Sequence, residues 1–257
     1  MSRVALVTGG GTGIGAAIAR RLANDGYRVA VTGRRREPVE EVAGTLGGIA
    51  IAADVGIPDQ AQRAVEETVA AAGGLDVLVC NAGVSRPGTV LDQTPEGWDE
   101  VIRTNLTGAF LICRAALPHL LERRGRIIVI GSLAGLRASP ESVAYCTSKA
   151  GLAMLTRCLA VDHGPQGLRV NCIAPGWVRT PMADLTMERV ARSRTMTVDD
   201  AYAEAARHTP IRRPATLEEV ADLAGWLAGP EAGGMNGAVI PVDGGAHVVD
   251  VASLEVS

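Results

Sequence analysis

Tyr145 and Lys149 stand four positions apart in the stretch SVAYCTSKAG, residues 142–151, and Lys149 is the one lysine among the 25 lysines and arginines of the chain. On a helix this spacing puts both side chains on one face. An ammonium beside a phenol stabilises the phenolate and lowers the tyrosine pKa from its ordinary value of about 10 toward working pH, where the group exchanges protons effectively. The pair alone is a weak signal, because a Tyr and a Lys share a face in many exposed helices. Other residues strengthen it. Ser132 follows the apolar run RIIVIG and stands at the carboxyl end of a candidate strand, where open α/β sheets carry their sites. Asn105 lies inside a helical pattern, IRTNLTGAF, where asparagine is a mediocre helix former and needs another reason to be present. NAG at 81–83 and PGWVRTPM at 175–182 follow two further candidate strands, so these features share one end of a sheet.

A second constellation lies near the amino end. The run VALVT leads into TGGGTGIG, residues 8–15, and then into a helical pattern. Glycines there permit positive φ and close approach of the backbone to a ligand, and a helix start supplies unpaired N–H donors. A turn of this kind after a first strand suits a pyrophosphate, and Gly9, Gly11, Thr12, Gly13, Ile14 and Gly15 are the residues expected to meet it. The second strand-like run ends in TGRRRE, with Gly33 where a carboxylate would read a ribose 2′-hydroxyl. Arg34 follows directly. A guanidinium forks onto a phosphate, which favours NADP(H) over NAD(H), whereas Arg35 and Arg36 read as solvated residues at a helix start.

The elements that must hold these residues follow a regular alternation. Short apolar runs begin at 4, 28, 49, 75, 126, 169 and 238, and amphipathic segments of helical length cover 14–25, 58–72, 96–121 and 143–163. Nearly continuous apolar character in runs this short suits strands covered on both faces, and the alternation predicts an α/β, doubly wound parallel sheet of about seven strands flanked by helices. One irregular region, 182–212, separates the last two strands. Its VDDAYAEAARH part reads as helix, so the expectation is one domain over 1–257 with a helical substrate flap inserted near 182–212. The tail 246–257 carries no pattern.

Hydrophobic residues make up 47% and charged residues 21%, which leaves disorder without support. A formal net charge of −3 gives no footprint for nucleic acid or an anionic membrane, so the expected partner is a small molecule. No apolar run approaches the roughly 18 residues that span a bilayer, and MSRVALVTGG lacks a signal-peptide profile; a cytoplasmic chain is expected. Cys80, Cys113, Cys146, Cys158 and Cys172 have no CxxC spacing, and the histidines are scattered, which predicts free thiols and no metal.

Taken in order, TGGGTGIG, ADV with Asp54, NAG, Asn105, Ser132 placed 13 residues before Tyr145, YCTSK and the turn at Pro175 and Gly176 resemble a classical short-chain dehydrogenase/reductase over essentially the whole length. The resemblance implies a Rossmann-type fold and a catalytic tetrad of Asn105, Ser132, Tyr145 and Lys149, with hydride passing between a nicotinamide and a carbonyl or carbinol carbon. It further implies that Tyr145 exchanges the proton, that Ser132 positions the oxygen, and that Lys149 holds the nicotinamide ribose. Asn105 would anchor a water. Asp54 and Val55 would border the adenine, Asn81, Ala82 and Gly83 the adenosine ribose, and Val178 and Thr180 the carboxamide. A homotetramer is also implied. Two positions depart from the family's habit: Cys80 stands where an Asn is common and Gly131 where a Ser is common.

Substrate contacts are expected from Ser132, Tyr145, Val84, Ser85, Leu133, Ala134, Ser142, Trp177 and Met182 and from the flap residues Met187 and Met196, a wall suited to a medium, mostly apolar alcohol or ketone. Hydroxybutyrate dehydrogenases of the family fix a carboxylate with a His and a Lys where this chain has Ala134 and Ser142. A hydroxy acid is therefore disfavoured unless Arg86 or Arg137 replaces that clamp. Two alternatives remain open: a reductase of carrier-bound 3-oxoacyl groups, docking on a basic face of Arg123, Arg124 and Arg137, and a non-catalytic nucleotide-sensing regulator.

Overall fold

The computed structural model describes residues 3–250. Seven strands, β1 (Val4–Thr8), β2 (Arg28–Gly33), β3 (Ile49–Ala52), β4 (Val77–Cys80), β5 (Arg126–Ile130), β6 (Arg169–Pro175) and β7 (Val239–Val242), form one sheet in the order β3-β2-β1-β4-β5-β6-β7, and every neighbouring pair is parallel. This is the doubly wound α/β fold that the alternation of runs predicts, and the strands fall where the apolar runs do. Successive residues of a strand point to opposite faces. Thus Leu78, Ile127 and Val129 enter one core while Val77, Val79, Ile128 and Ile130 enter the other, which is why these strands are apolar throughout.

Helices α1 (Gly13–Asn24), α2 (Arg36–Thr45) and α9 (Leu217–Ala228) cover one face; α3 (Pro58–Ala72), α5 (Gly108–Glu122) and α6 (Val143–His163) cover the other. The segment expected as a single helix over 96–121 is two helices, α4 (Pro95–Ile102) and α5, joined by a π-helical turn at Arg103–Thr107. Asn105 lies in that turn. Wide turns inside helices commonly mark sites where a side chain is needed at an angle the regular helix does not offer.

The inserted region holds two helices, α7 (Pro181–Arg194) and α8 (Val198–Ala205), and only the second was legible as helix. They share a small core of Met187, Ala191, Ala201 and Tyr202, separate from the two cores of the sheet. The expectation for the tail concerns residues of which 251–257 lie outside the described part. Among the described residues no helix is long and apolar enough to cross a membrane.

Candidate active site

The turn after β1 is built by close contacts that side chains would prevent. Gly9 has φ +62°, and a Cβ on it would lie 2.8 Å from the Ala82 Cα; one on Gly15 would lie 2.4 Å from both Asn81 Nδ2 and the Gly9 oxygen. The reason is that NAG is tied to the turn. Asn81 Nδ2 donates to the carbonyls of Thr8 (2.9 Å) and Gly9 (3.0 Å), while the N–H groups of Asn81 and Ala82 donate to Thr8 Oγ1 at 2.9 and 3.1 Å. Thr12 precedes α1 without capping it by its side chain, and the first turn holds no acidic residue. The N–H donors of that turn therefore remain available to an anion. Gly11 approaches Pro38, Ile14 packs partly into the core, and Thr180 sets its methyl 3.3 Å from where a Gly13 Cβ would be. The cradle fits a dinucleotide pyrophosphate.

Beyond Gly33, Arg34 is exposed and lines a hollow of about 230 Å³ with Ala52, Ala53, Asp54 and Gln60. Asp54 Oδ1 accepts from the Gly56 N–H at 2.9 Å, and its own N–H donates to Gln60 Oε1 at 2.8 Å, which holds this wall in shape. Val55, next in the chain, is buried with its side chain turned toward Gly108 of α5, and it is not among the residues lining this hollow.

At the carboxyl end of β5, Ser132 precedes a 3-10 turn at Leu133–Gly135, and its hydroxyl accepts from the Ala134 N–H at 3.1 Å. Tyr145, in the first turn of α6, is within hydrogen-bonding reach of Ser132. Lys149, one turn on, is buried; its Nζ donates to the Ile130 carbonyl at 2.8 Å and lies 5.6 Å from the centre of the Tyr145 ring. Asn105 Oδ1 accepts from the Val84 N–H at 2.8 Å, and its Nδ2 donates to the Val84 carbonyl (2.9 Å) and to Ser148 Oγ (3.0 Å). Ser148 in turn donates to the Tyr145 carbonyl at 2.7 Å. Asn105 thus ties the loop after β4 to the start of α6, and both its amide hydrogens are used by protein groups. Nothing in the sequence pattern singled out Ser148, although it stands inside YCTSK.

Electrostatics depart from the expected picture. Burial pushes the Tyr145 phenol above its ordinary value, with the Ser132 hydrogen bond pulling it back; Lys149 is not what moves it. Burial pushes Lys149 down to about 8, an effect opposed by the nearby Cys172 thiol. The charged form of each residue is disfavoured by its removal from water.

The two unusual positions have partners. A Cβ on Gly131 would lie 2.6 Å from Cys172 Sγ, so the sulfur fills the space a serine side chain would use, and Cys80 Sγ lies 3.5 Å from Cys113 Sγ in the core.

Of the expected substrate wall, Val84, Ser85, Leu133, Ala134 and Ser142 are half-buried at this end of the sheet, and a bridge between Gly88 and Ser142 brings the loops after β4 and β5 together. The Ser142 hydroxyl is engaged by the Pro140 carbonyl at 3.0 Å. Trp177 and Met182 are exposed at this end; Met187 packs into the flap's own core, whereas Met196 packs against that core and also lines a hollow of about 840 Å³ formed by the flap itself. Leu185 and Leu136, which the sequence did not flag, are exposed; Leu185 lies three residues after Met182 and shares its helix face. Arg86 is held by Glu100 through two bonds of 2.8 and 3.0 Å. Arg123 and Arg124 precede β5, at the opposite end of the sheet from Ser132, with Arg123 bound to Asp76 at 3.1 Å. A docking face combining them with Arg137 beside the entrance does not exist.

A glycine cradle at the carboxyl end of a doubly wound parallel sheet, beside a Ser–Tyr–Lys cluster, defines the class of nicotinamide-dependent oxidoreductases. Residues 9–247 match the family described as enoyl-(acyl carrier protein) reductase. Among curated relatives, the protein MoaE of Klebsiella aerogenes is 39% identical, the alignment covering 99% of each chain, and the meso-2,3-butanediol dehydrogenase of Serratia marcescens is 34% identical over 97% of this chain and 96% of its own. Among solved structures, a single-residue variant of actinorhodin polyketide ketoreductase with NADPH superposes with a TM-score of 0.92 at 34% identity, covering 96% of this chain and 98% of that one. The 3-ketoacyl-(acyl-carrier-protein) reductase of Brucella melitensis with NADH gives 0.87 at 28% identity, covering 95% and 98%. The chain belongs to the classical short-chain dehydrogenase/reductase family and is an NAD(P)-dependent oxidoreductase of alcohols and ketones.

Proposed function

We propose that Asn105, Ser132, Tyr145 and Lys149 are the reacting and supporting groups of a secondary-alcohol or ketone oxidoreductase that prefers NADP(H). The observation that carries this reading is the Tyr145 phenol, within reach of Ser132 and above a buried, acid-free Lys149, at the same sheet end as the glycine cradle. When bound, the nicotinamide supplies or accepts the hydride. Ser132 holds the substrate oxygen beside Tyr145. Tyr145 gives that oxygen a proton as the carbonyl becomes a carbinol, and takes it back in the reverse direction; a phenol that burial keeps protonated suits donation. Lys149 presents its ammonium beneath Tyr145 and to the ribose hydroxyls, and Asn105 keeps the loop of Val84 against α6.

Gly9, Gly11, Thr12, Gly13, Ile14 and Gly15 would hold the pyrophosphate, Asp54 and Val55 would border the adenine, Asn81 to Gly83 the adenosine ribose, and Val178 and Thr180 the carboxamide. For the 2′-phosphate, Arg34 is exposed beside the adenine hollow with no carboxylate at Gly33. The whole chain, 1–257, acts as one domain. A homotetramer is supported by family membership and by the exposed Phe110, Met154 and Val161 on α5 and α6, and a cytoplasmic location by free cysteines.

The test is a panel of secondary alcohols and ketones with both cofactors, run on wild type and Tyr145→Phe. Turnover should fall by about 10³-fold, the scale of general acid–base catalysis, while cofactor binding persists. Unchanged turnover would refute the role of Tyr145. Arg34→Asp should weaken NADPH binding more than NADH binding; equal effects would show that Arg34 does not read the phosphate.

A further inference from the structure

Behind Ser132 lies a buried thiol that the proton and hydride steps do not use. In the parallel pairing of β5 with β6, Val129 stands opposite Cys172 and Ile130 opposite Ile173. Gly131 continues that ladder, its N–H donating to the Ile173 carbonyl at 2.7 Å. Residues two apart in a strand share a face, so Gly131 stands over the same face as Val129 and Cys172, the one that α6 covers. The α6 residues turned inward there include Lys149, Leu152 and Thr156, a buried stripe at the spacing of one helix face.

Two close approaches fix the segment that carries Ser132. A Cβ on Gly131 would lie 2.6 Å from Cys172 Sγ, and a Cβ on Gly135 would lie 2.6 Å from the Lys149 carbonyl carbon. The segment between these glycines is therefore pressed onto β6 at Cys172 and onto α6 at Lys149, and a side chain at either glycine would push it off. Gly131 also joins the two groups on which the site depends: the Ile130 carbonyl, which accepts from Lys149 Nζ at 2.8 Å, and Ser132. A shift of this backbone moves both together.

Cys172 is suited to hold the backbone rather than to react. Its thiol donates toward the Ile173 carbonyl at 3.7 Å, the same carbonyl that takes the Gly131 N–H, and lies beside Thr156, whose hydroxyl is tied to the Leu152 carbonyl at 2.9 Å. Burial pushes the thiol up against the pull of the Lys149 ammonium, so at neutral pH it is a neutral packing group and not a nucleophile. We propose that Cys172 is a positioning residue of the active site: its sulfur, wedged between Gly131 and α6, sets where the Ile130–Ser132 backbone lies and so holds the Lys149 ammonium and the Ser132 hydroxyl in register with Tyr145. This inference rests on the oxidoreductase reading of those groups and adds the residue that fixes their spacing. A side chain at 131 and a sulfur at 172 exclude each other, so the two positions act as one unit.

The test measures kcat, KM for the best ketone of the panel and for NADPH, and the melting temperature in Gly131→Ala, Cys172→Ala, Cys172→Ser and the double variant Gly131→Ala/Cys172→Ala. Gly131→Ala is expected to lose about 10²-fold in kcat, the scale of a displacement of about 1 Å at a reacting group, with both KM values within about twofold. Removing the sulfur as well clears the space, so the double variant should recover to within about fivefold of Cys172→Ala, the coupling expected of residues in contact. Cys172→Ala alone leaves a void and should lose about tenfold in kcat, whereas Cys172→Ser, close in shape and still able to donate to the Ile173 carbonyl, should restore most of it. Wild-type kcat in Gly131→Ala overturns the proposal, as does a double variant no faster than Gly131→Ala. So does a lowered melting temperature in Cys172→Ala with kcat intact, which would mark packing alone. Should Gly131→Ala not fold, the Cys172 pair decides: kcat lost in Cys172→Ala and restored in Cys172→Ser supports the role, and kcat that is unchanged in the first or not restored in the second refutes it. Failure of the parent reading looks different: wild type turns over no carbonyl compound, or Tyr145→Phe is as active as wild type.

Discussion

Lys149 in the floor of the cleft and Tyr202 in the flap above it are both ionisable side chains shut away from water, and their surroundings differ in kind. The Lys149 ammonium faces the Ile130 carbonyl with no carboxylate among its hydrogen-bond partners, and burial drives its pKa down to about 8. Tyr202 donates to Asp184 Oδ1 at 2.8 Å, and Arg179, held by Asp199 at 2.6 Å, lies 4.5 Å above its ring. Burial and then Asp184 push the Tyr202 phenol upward, so it stays neutral with its proton engaged. A charge kept uncomfortable in a packed sheet marks a working group, whereas a satisfied neutral network marks a structural one. The floor borrows rigidity from both cores of the sheet; the flap carries its own small core and joins the rest next to Thr180, whose side chain caps α7 by accepting from the Ala183 N–H at 3.1 Å.

That contrast can be broken most directly at Lys149. Lys149→Arg keeps the charge but not the compact ammonium, and turnover is expected to fall by about 10²-fold or more with the fold retained. Near-normal kcat in that variant would mean that charge alone suffices. A second measurement reads the buried charge in stability. Below about pH 8 the ammonium is charged in both folded and unfolded chains and its burial counts fully against folding. Between about 8 and the ordinary value of 10.5, only the unfolded chain still holds the proton, so stability rises with pH. Unfolding midpoints of wild type should therefore climb relative to Lys149→Met between about pH 7.5 and 10, by up to about 3 kcal/mol at about 1.4 kcal/mol per pKa step. Parallel curves would show that Lys149 keeps its ordinary pKa in the folded chain, so that burial does not disfavour its charge.

The smallest effect is expected in the flap. Tyr202→Phe keeps the ring and removes the hydroxyl, and the loss should be about 1 kcal/mol because Asp184 remains able to reach water. Substrate KM should rise a few-fold with kcat nearly unchanged, measured by steady-state kinetics. A collapse of kcat comparable to that of Lys149→Arg would place the flap network in the chemistry and dissolve the distinction.

Strand positions were legible because burial on both faces leaves no polar residue to interrupt β1, β4 or β5, and α6 was legible from Val143 to His163 because its pattern is unbroken. The break at Asn105 was not. A π turn has no periodicity of its own, and its cause lies in bonds to Val84 and Ser148, distant in the chain. Met187 misled for a related reason: a methionine fills core and pocket equally well, and only the pairing of α7 with α8 decides which. Arg123 and Arg137 looked alike in the sequence, yet one precedes β5 and the other follows it, which puts them at opposite ends of the sheet.

By itself the sequence determined the order of elements, the glycine cradle and the grouping of Ser132, Tyr145 and Lys149 at one sheet end, because strand alternation and parallel pairing dictate which residues emerge together. Tertiary structure decided the electrostatics and the fate of each arginine. A pKa depends on what surrounds a group rather than on what neighbours it in the chain: Lys149 is shifted by burial, Arg86 is claimed by Glu100, and Arg137 is held by the Ala246 carbonyl, 109 residues away.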